Sequence, residues 1–351
     1  MIKVGIIGAG VIAERHIMNY VKNPDVEVKA IADPATEKAQ KYANQYGIKN
    51  VYADYHEILN DSEIDAISIC TPTFTHTPIV IEALNAKKHV LCEKPPALNA
   101  DEVRECRDCA KKNGKLLMYG FVCRFRSHAQ YLKKYIDSGK MGKILSGEAR
   151  RTSLCTEMQG WFGEKSKGGG CLRDTAIHEL DLILYMMGYP KVKTVVGYQT
   201  DVNTHLPSKL ASGATAWETG NKVSPNKDIE NYLSGYIKFE NGSYIFVKTS
   251  FVLHTPNPGT YVEIDGERAG AAMEPFNEGK ELYMVTEEDN LMRETKPVIT
   301  ANNPFTTQIN HFVDCLLNGT ECICKADEAV MLMEIIDAIY KSGETGEVIT
   351  F

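Results

Sequence analysis

Near its start the chain has the sequence Ile2-Lys3-Val4-Gly5-Ile6-Ile7-Gly8-Ala9-Gly10-Val11-Ile12-Ala13. An apolar strand pattern, a Gly-x-Gly-x-x-Ala turn and the start of an amphipathic helix follow one another here without a gap. A second apolar run, Val26 to Ala32, ends in Asp33. This order of strand, glycine turn, helix, strand and acid is the dinucleotide-binding fingerprint of a Rossmann domain.

The residues of this turn indicate which nucleotide is bound. Gly8 permits a tight turn, and Gly10 lets a pyrophosphate approach the backbone at the N-terminus of the helix that Val11 and Ile12 begin. Asp33 follows the second strand, where an acid binds the ribose hydroxyls and repels a 2′-phosphate. We therefore predict that these five residues bind NAD, and that NADP binds less well.

Strand and helix patterns continue to alternate up to residue 122. Strand patterns lie at 66–70, 89–92 and 116–119, and helix patterns at 36–46, 77–86 and 99–113. This rhythm predicts a doubly wound parallel sheet, with ligands bound at the carboxyl ends of its strands. Thr71, Pro72 and His76 follow one of these strands, and we assign them to the cofactor site. For His76, capping of the following helix is an equal alternative.

Glu93-Lys94-Pro95 stands at the carboxyl end of the strand 89–92. Pro95 keeps Lys94 out of the helical region of backbone space and gives its ammonium group a fixed starting direction. We predict that Glu93 and Lys94 face the cofactor and that Lys94 takes part in catalysis. The alternative for so short a motif is a solvated Glu-Lys turn.

The pattern changes after residue 122. Long alternating segments at 192–200, 229–239, 243–253 and 260–264 are separated by turn residues, whereas 201–228 is polar and has the character of an irregular insertion. We predict an α/β domain over 1–122 and an α+β domain over 123–351 with a large, mainly antiparallel, open-faced sheet. An apolar open face predicts a homo-oligomer.

A third motif lies in the second half, where three glycines precede a strong helix pattern over 172–187. Asp174, His178 and Asp181 fall on one face of that helix, so a carboxylate can orient the imidazole. The glycines of residues 168–170 let backbone approach a ligand. A surface ion pair is the alternative, and a metal site would need a further ligand, so we predict no metal.

Together these motifs resemble the glucose-fructose oxidoreductase / inositol dehydrogenase / rhizopine catabolism superfamily (Gfo/Idh/MocA), over nearly the whole chain. The resemblance rests on Gly8-x-Gly10-x-x-Ala13, Thr71-Pro72, Glu93-Lys94-Pro95, Gly120-Phe121 with Arg124-Phe125, Gly168-Gly169-Gly170 and Asp174-x-x-x-His178-x-x-Asp181. It implies catalytic roles for Lys94, Asp174 and His178. Ala176 and Cys123 depart from the family pattern, and Cys123 lies beside Arg124, in the wall that would contact the substrate.

The resemblance implies an NAD-dependent dehydrogenase that oxidises a secondary hydroxyl of a sugar, polyol or glycoside. Arg124 and Trp161 are candidate substrate contacts, and for Trp161 the alternative is a packing anchor. An NAD-dependent glycosidase and a sugar transhydrogenase with tightly bound cofactor would use the same catalytic residues. An NAD-binding sensor would need neither Lys94 nor His178.

Composition limits the partners. The chain has 351 residues, a net charge of -7 and 24% charged residues. Without a basic run or a long apolar stretch, we expect no nucleic acid and no membrane as partner. The ten cysteines are scattered, which favours a reducing cytoplasm. Cys106 and Cys109 lie far in sequence from Cys322 and Cys324, so we do not predict a zinc site from them.

Overall fold

The computed structural model describes residues 1–153, 160–201, 228–276 and 282–351. Nearly all of the irregular insertion predicted at 201–228 lies outside these ranges. The chain divides into two compact units, one of residues 1–122 with 303–333 and one of residues 123–302 with 334–351. Within the described residues, no helix is long and apolar enough to cross a membrane.

The first unit contains a parallel six-stranded sheet in the order β3-β2-β1-β4-β5-β6. Its strands are β1 (Ile2–Ile7), β2 (Val26–Ala32), β3 (Asn50–Tyr52), β4 (Ala66–Ile69), β5 (His89–Cys92) and β6 (Leu117–Tyr119). The strand order reverses between β1 and β4, and such a switch point is where doubly wound sheets bind ligands. The predicted Rossmann sheet is confirmed. The sequence prediction missed β3, which has three half-buried residues and too little pattern to detect.

Helices cover this sheet and are bounded by the residues that the sequence marks as helix ends. They are α1 (Val11–Tyr20), α2 (Thr36–Tyr46), α3 (His56–Asn60), α4 (His76–Asn85), α5 (Ala100–Asn113) and α8 (Pro304–Asn318), with α9 (Ala326–Thr345) beginning here. The Asn99 side chain caps α5 by accepting a hydrogen bond from the Glu102 amide at 3.0 Å. Gly114, in the left-handed conformation, ends the same helix.

The second unit contains a nine-stranded sheet in the order β14-β13-β12-β11-β7-β10-β9-β8-β15. Its strands are β7 (Ile144–Thr152), β8 (Val192–Thr200), β9 (Tyr232–Phe239), β10 (Tyr244–Ser250), β11 (Gly259–Gly266), β12 (Ala269–Met273), β13 (Tyr283–Glu288), β14 (Leu291–Thr295) and β15 (Ile349–Thr350). Among the described strands of this sheet, only β7 and β10 pair in parallel, so the prediction of a large, mainly antiparallel sheet is confirmed.

One face of this sheet packs against helices. They are α7 (Ile177–Met187) and the end of α9, and α6 (Ser127–Asp137) packs against α7. Gly147 leaves room for Ile183 of α7, since a Cβ atom at Gly147 would lie 2.7 Å from the Ile183 Cγ1 atom. Residues of the opposite face are exposed, among them Tyr198 of β8 and Phe246 of β10. As far as the described residues show, the face opposite the helices is aromatic and exposed.

Two local features differ from the sequence prediction. The single helix predicted from 172 to 187 begins as a π-helical turn, Cys171–Ala176, and becomes α-helical at Ile177. Residues 303–333 group with the first unit, although they follow the long sheet in sequence. Hydrophobic periodicity predicts a helix but does not show which core the helix covers. The functional division into 1–122 and 123–351 stays a prediction.

Candidate active site

The glycine turn has the geometry that its sequence requires. Gly8 has a φ of 97°, and a Cβ atom there would lie 2.6 Å from the Cys70 carbonyl oxygen. Space is open beside Gly10, where a Cβ atom would meet nothing within 4 Å. No side chain caps α1, so the first amide groups of this ten-residue helix can bind an anion. The turn fits a pyrophosphate.

Asp33 is held against this turn by two backbone hydrogen bonds. The Ala9 amide donates to its Oδ2 atom at 2.7 Å, and the Ala35 amide donates to its Oδ1 atom at 2.8 Å. The half-buried carboxylate keeps lone pairs for further donors. Its position beside the glycine turn fits a ribose diol.

His76 joins two loops at the carboxyl end of the parallel sheet. Its Nδ1 atom lies 2.8 Å from the Pro95 carbonyl oxygen and its Nε2 atom 2.8 Å from the Thr71 carbonyl oxygen. The ring is buried, and this burial lowers the pKa of His76. A surface cap is therefore wrong for His76. The ring positions Thr71 and the Lys94-Pro95 segment, and its contact with the cofactor stays a prediction.

Glu93 is anchored by a histidine that the sequence prediction missed. His16 of α1 is fully buried, with its Nε2 atom 2.8 Å from Glu93 Oε1 and its Nδ1 atom 2.7 Å from the Ser68 hydroxyl. Burial alone lowers the pKa of His16, but Cys70 and Glu93 outweigh it and raise that pKa to about 10. His16 is therefore an imidazolium ion paired with Glu93. No short motif links two residues so far apart in the chain.

Glu93 in turn fixes the backbone of Lys94. Its Oε2 atom accepts a hydrogen bond from the Lys94 amide at 3.2 Å. Gly120, after β6, leaves room for this carboxylate, since a Cβ atom there would lie 2.8 Å from Glu93 Oε1. The Lys94–Pro95 peptide bond is cis, and the Lys94 side chain is half-buried. Glu93 is thus a positioning residue, and Lys94 is the group of this motif that can reach a ligand.

In the second unit, Asp174 and His178 lie where the π-helical turn passes into α7. The Asp174 amide donates to the Gly170 carbonyl oxygen at 3.2 Å, and the Asp174 side chain is half-buried. The His178 ring packs edge-on against Phe276, with ring centroids 5.2 Å apart. Arg151 lies over the same Phe276 ring at 4.6 Å. Phe276 and Arg151 are neighbours of the predicted base that no motif indicated.

The glycines before Asp174 serve the packing of their own unit. A Cβ atom at Gly169 would lie 2.3 Å from the Phe162 carbonyl oxygen, and one at Gly170 would lie 2.8 Å from both Glu230 Oε1 and the Tyr340 hydroxyl. These close approaches are internal to the unit, and the prediction that the glycines let backbone approach a ligand stays a prediction.

Asp181 and Arg124 form a buried ion pair. Arg124 Nε and Nη2 donate to Asp181 Oδ2 and Oδ1 at 2.9 and 2.6 Å, and the Tyr189 hydroxyl donates to Oδ1 at 2.8 Å. Both charged side chains are fully buried. Asp181 therefore pairs with Arg124, although it shares a helix face with Asp174 and His178. The predicted contact of Arg124 with the substrate stays a prediction.

Trp161 lies in a short 3₁₀ turn, Gly160–Gly163, and stacks on its neighbour Phe162 with ring centroids 3.9 Å apart. It is half-buried. This packing fits the alternative of an anchor, and a substrate contact of the exposed ring portion stays a prediction.

Comparison with known families agrees with this geometry. Residues 2–121 match the Gfo/Idh/MocA oxidoreductase family, NAD-binding Rossmann fold, and residues 133–351 match its C-terminal alpha/beta domain. The chain belongs to this oxidoreductase family. The predicted family membership and oxidoreductase class are confirmed, and the first domain is the family's NAD-binding domain.

Individual relatives of this family member are dehydrogenases. It is 32% identical to D-glucoside 3-dehydrogenase of Escherichia coli K12 over 351 residues, covering 98% of this chain and 96% of that protein. It is 29% identical to levoglucosan dehydrogenase of Pseudarthrobacter phenanthrenivorans over 76% of this chain and 71% of that protein. A solved structure of levoglucosan dehydrogenase with NADH and levoglucosan has the same fold, with a TM-score of 0.85, 23% identity and 99% of both chains covered.

Proposed function

We propose that this family member is an NAD-dependent dehydrogenase that oxidises a ring hydroxyl of a D-glucoside or a related pyranoside. The observation that supports it most is the pair of predicted catalytic motifs, Lys94 and Asp174 with His178, in a chain similar over almost its full length to a D-glucoside 3-dehydrogenase. The names of the levoglucosan and inositol relatives point more broadly to ring hydroxyls of sugars and cyclic polyols.

The choice of NAD over NADP rests on Asp33. Its carboxylate is fixed at the glycine turn by the amides of Ala9 and Ala35, so it cannot swing away from a ribose that binds there. A 2′-phosphate at that ribose would be repelled by the fixed negative charge. The proposed cofactor is therefore NAD.

The proposed chemistry divides a single oxidation between three side chains. When bound, nicotinamide would accept the hydride from the carbon that carries the hydroxyl. His178 removes the hydroxyl proton, and Asp174, one turn earlier, fixes the tautomer of the ring. The Lys94 ammonium group donates a hydrogen bond to the same oxygen and stabilises the negative charge that develops there. The products are a ketone, a reduced cofactor and a proton held on His178.

Product analysis tests this function. The protein is incubated with NAD and, in separate reactions, with a methyl D-glucoside, levoglucosan, D-glucose and myo-inositol, and NADH and the organic product are quantified. We expect one keto product per NADH with at least one pyranoside. Cleavage of the glycosidic bond without net NADH would instead indicate a glycosidase. Sugar oxidation coupled to reduction of a second sugar, without NADH release, would indicate a transhydrogenase.

We also propose that the protein forms a homo-oligomer through the open face of the nine-stranded sheet. Val196 and Tyr198 of β8 are 42% and 57% exposed on that face, and Phe246 of β10, on the other side of β9, is 51% exposed. The rings of Tyr236 and Phe246 lie 5.2 Å apart and form part of a continuous aromatic surface. Such a surface is usually covered by a second protein surface.

A reducing, cytoplasmic location is part of the proposal. Several cysteines, among them Cys70, Cys92 and Cys106, are buried as small apolar side chains and do not form the cysteine-dense framework of a secreted domain.

A further inference from the structure

His311, Cys315 and Cys322 form a compact group of side chains in the first unit, one that takes no part in the proposed oxidation. Their potential ligand atoms all lie within 4.8 Å of one another. His311 and Cys315 stand one turn apart on α8, and Cys322 comes from the segment that follows the left-handed Gly319 at the end of that helix. The three side chains are half-buried, so an ion from solvent could reach them.

The spacing of this group resembles that of zinc ligands. Cys315 Sγ lies 3.5 Å from His311 Nε2. In a tetrahedral zinc site, bonds of about 2.3 Å to sulfur and about 2.05 Å to nitrogen place these two atoms about 3.6 Å apart. The histidine and the first cysteine are therefore already at ligand spacing.

The chemistry of the three side chains suits a soft or borderline metal ion. Two sulfurs and one imidazole nitrogen are the donor set that zinc prefers, and oxygen-seeking ions such as Mg²⁺ do not compete well for it. Both cysteines would bind the ion as thiolates, so metal binding would release their protons.

The group also occupies a place where a metal ion would tie two segments together. Lys325, shortly after Cys322, forms an isolated antiparallel bridge with Met118 of β6 at the edge of the parallel sheet. The Ile323 amide donates to His311 Nε2 at 3.1 Å, which already connects this segment to α8. A metal ion would replace that hydrogen bond by stronger links between the same two segments.

We propose that His311, Cys315 and Cys322 bind one Zn²⁺-class ion, with water as the fourth ligand, and that this ion fastens the 320–325 segment to α8. The role is structural. A disulfide between Cys315 and Cys322 is the competing use of the same thiols.

Cobalt binding tests the proposal directly. The untagged full chain is reduced with a phosphine, freed of metal by a chelator and titrated with Co²⁺. Thiolate-bound tetrahedral cobalt gives intense visible bands and a near-ultraviolet charge-transfer band, which Zn²⁺ then abolishes by displacement. The same titration is made with Cys315→Ser, Cys322→Ser and His311→Gln. The control is Cys109→Ser, which changes a half-buried cysteine on α5 that does not belong to the group.

We expect the bands to saturate at one ion per chain and the three variants to bind at least tenfold more weakly, with the control unchanged. Zn²⁺ should raise the unfolding temperature of the wild type and of Cys109→Ser, and it should not raise that of the three site variants. If one cysteine variant does not fold, the cobalt titration of His311→Gln tests the proposal in its place. Absent bands at equimolar cobalt, or equal binding by Cys322→Ser and wild type, would overturn the proposal. So would a Cys315–Cys322 disulfide in the isolated protein whose reduction yields no metal uptake.

Discussion

The imidazole of His16 lies 2.8 Å from the carboxylate of Glu93, and both side chains are buried. His16 belongs to α1, the helix whose N-terminus faces the proposed pyrophosphate site. Glu93 precedes Lys94 and accepts a hydrogen bond from its amide. One ion pair thus connects the element that binds the nucleotide to the segment that carries the proposed catalytic lysine.

Replacing His16 by glutamine should destabilise the protein in a pH-dependent way. Removal of one partner from a buried ion pair costs about 3–5 kcal/mol in the free energy of unfolding. The pKa of His16 is raised from 6.5 to about 10, so the folded state holds a proton that the unfolded state releases. The stabilisation is fully present below pH 6.5 and is lost as the pH rises toward 10.

Denaturant unfolding of wild type and His16→Gln between pH 6 and about 10 measures this effect. The difference in the free energy of unfolding between the two proteins should become steadily smaller above pH 6.5. His56→Gln is the matched control, because His56 pairs with Asp54 on the surface and is half-exposed. His56→Gln should change the free energy of unfolding by about 0.5 kcal/mol or less. A gap for His16→Gln that does not vary with pH would contradict an imidazolium–carboxylate pair.

Asp33→Asn should weaken NADH binding and reduce the discrimination against NADPH. A hydrogen bond to a charged acceptor contributes about 1.5–3 kcal/mol, which corresponds to a loss of roughly 10- to 150-fold in affinity. Fluorescence titration with each nucleotide gives the two constants. Glu37→Gln removes a nearby exposed charge at the start of α2 and should change neither the affinity for NADH nor that for NADPH. Tighter binding of NADPH than of NADH by the wild type would refute the proposed cofactor.

The buried pair of Arg124 and Asp181 should be structural. Arg124→Met leaves Asp181 as an uncompensated charge, at a cost of about 3–5 kcal/mol. Replacing both residues by apolar ones should cost less than the sum of the single losses. Denaturant unfolding supplies the free energies, and Arg107→Ala, which removes a partly exposed surface pair with Asp108, is the control. Unchanged stability of Arg124→Met combined with a raised KM would instead return Arg124 to the substrate site.

The sequence predicts the parts of this molecule that depend on local pattern. The glycine turn, Asp33 after β2 and the alternating strands of the second sheet each follow from residues close together in the chain. Helix α2 has the predicted bounds, Thr36–Tyr46, because Gly47 supplies the left-handed residue that ends it.

What the sequence does not predict depends on packing between distant segments. In the sequence, His16 is an ordinary residue of an amphipathic helix pattern, and only the tertiary structure brings it into contact with Glu93. The three-residue strand β3 carries no periodicity, and nothing local shows that α8 returns to the first unit. Phe276 is a loop residue whose contact with His178 depends on the tertiary structure.

A charge on the open sheet face should disrupt the proposed oligomer. Tyr198→Glu combined with Phe246→Glu places two carboxylates within an apolar surface, where burial of an unpaired charge is unfavourable. Light scattering of wild type should give a multiple of 39.1 kDa, and the double variant should give the monomer mass. Val298→Glu, at a residue that is 98% exposed, should have no effect. A wild-type monomer at micromolar concentration would exclude this assembly.

The catalytic assignment makes the most demanding prediction, since Lys94 and His178 are proposed to act on one substrate oxygen. Loss of a positioned acid–base group typically lowers the rate by ~10²–10⁴. Lys94→Ala and His178→Ala should therefore lower kcat by about that factor and leave the affinity for NADH nearly unchanged. Asp174→Asn should have a smaller effect, because Asp174 orients the base without transferring the proton. Lys112→Ala, an exposed lysine on α5, is the control.

The double variant separates shared action from independent effects. If both groups stabilise charge on one oxygen, the combined loss in Lys94→Ala with His178→Ala should be less than the product of the single losses. Steady-state rates with the substrate identified by product analysis provide the three ratios. A loss in the double variant that equals the product of the two single losses would mean that the residues act independently. Near-normal turnover in either single variant would make that residue structural and leave the hydroxyl without its proposed base or donor.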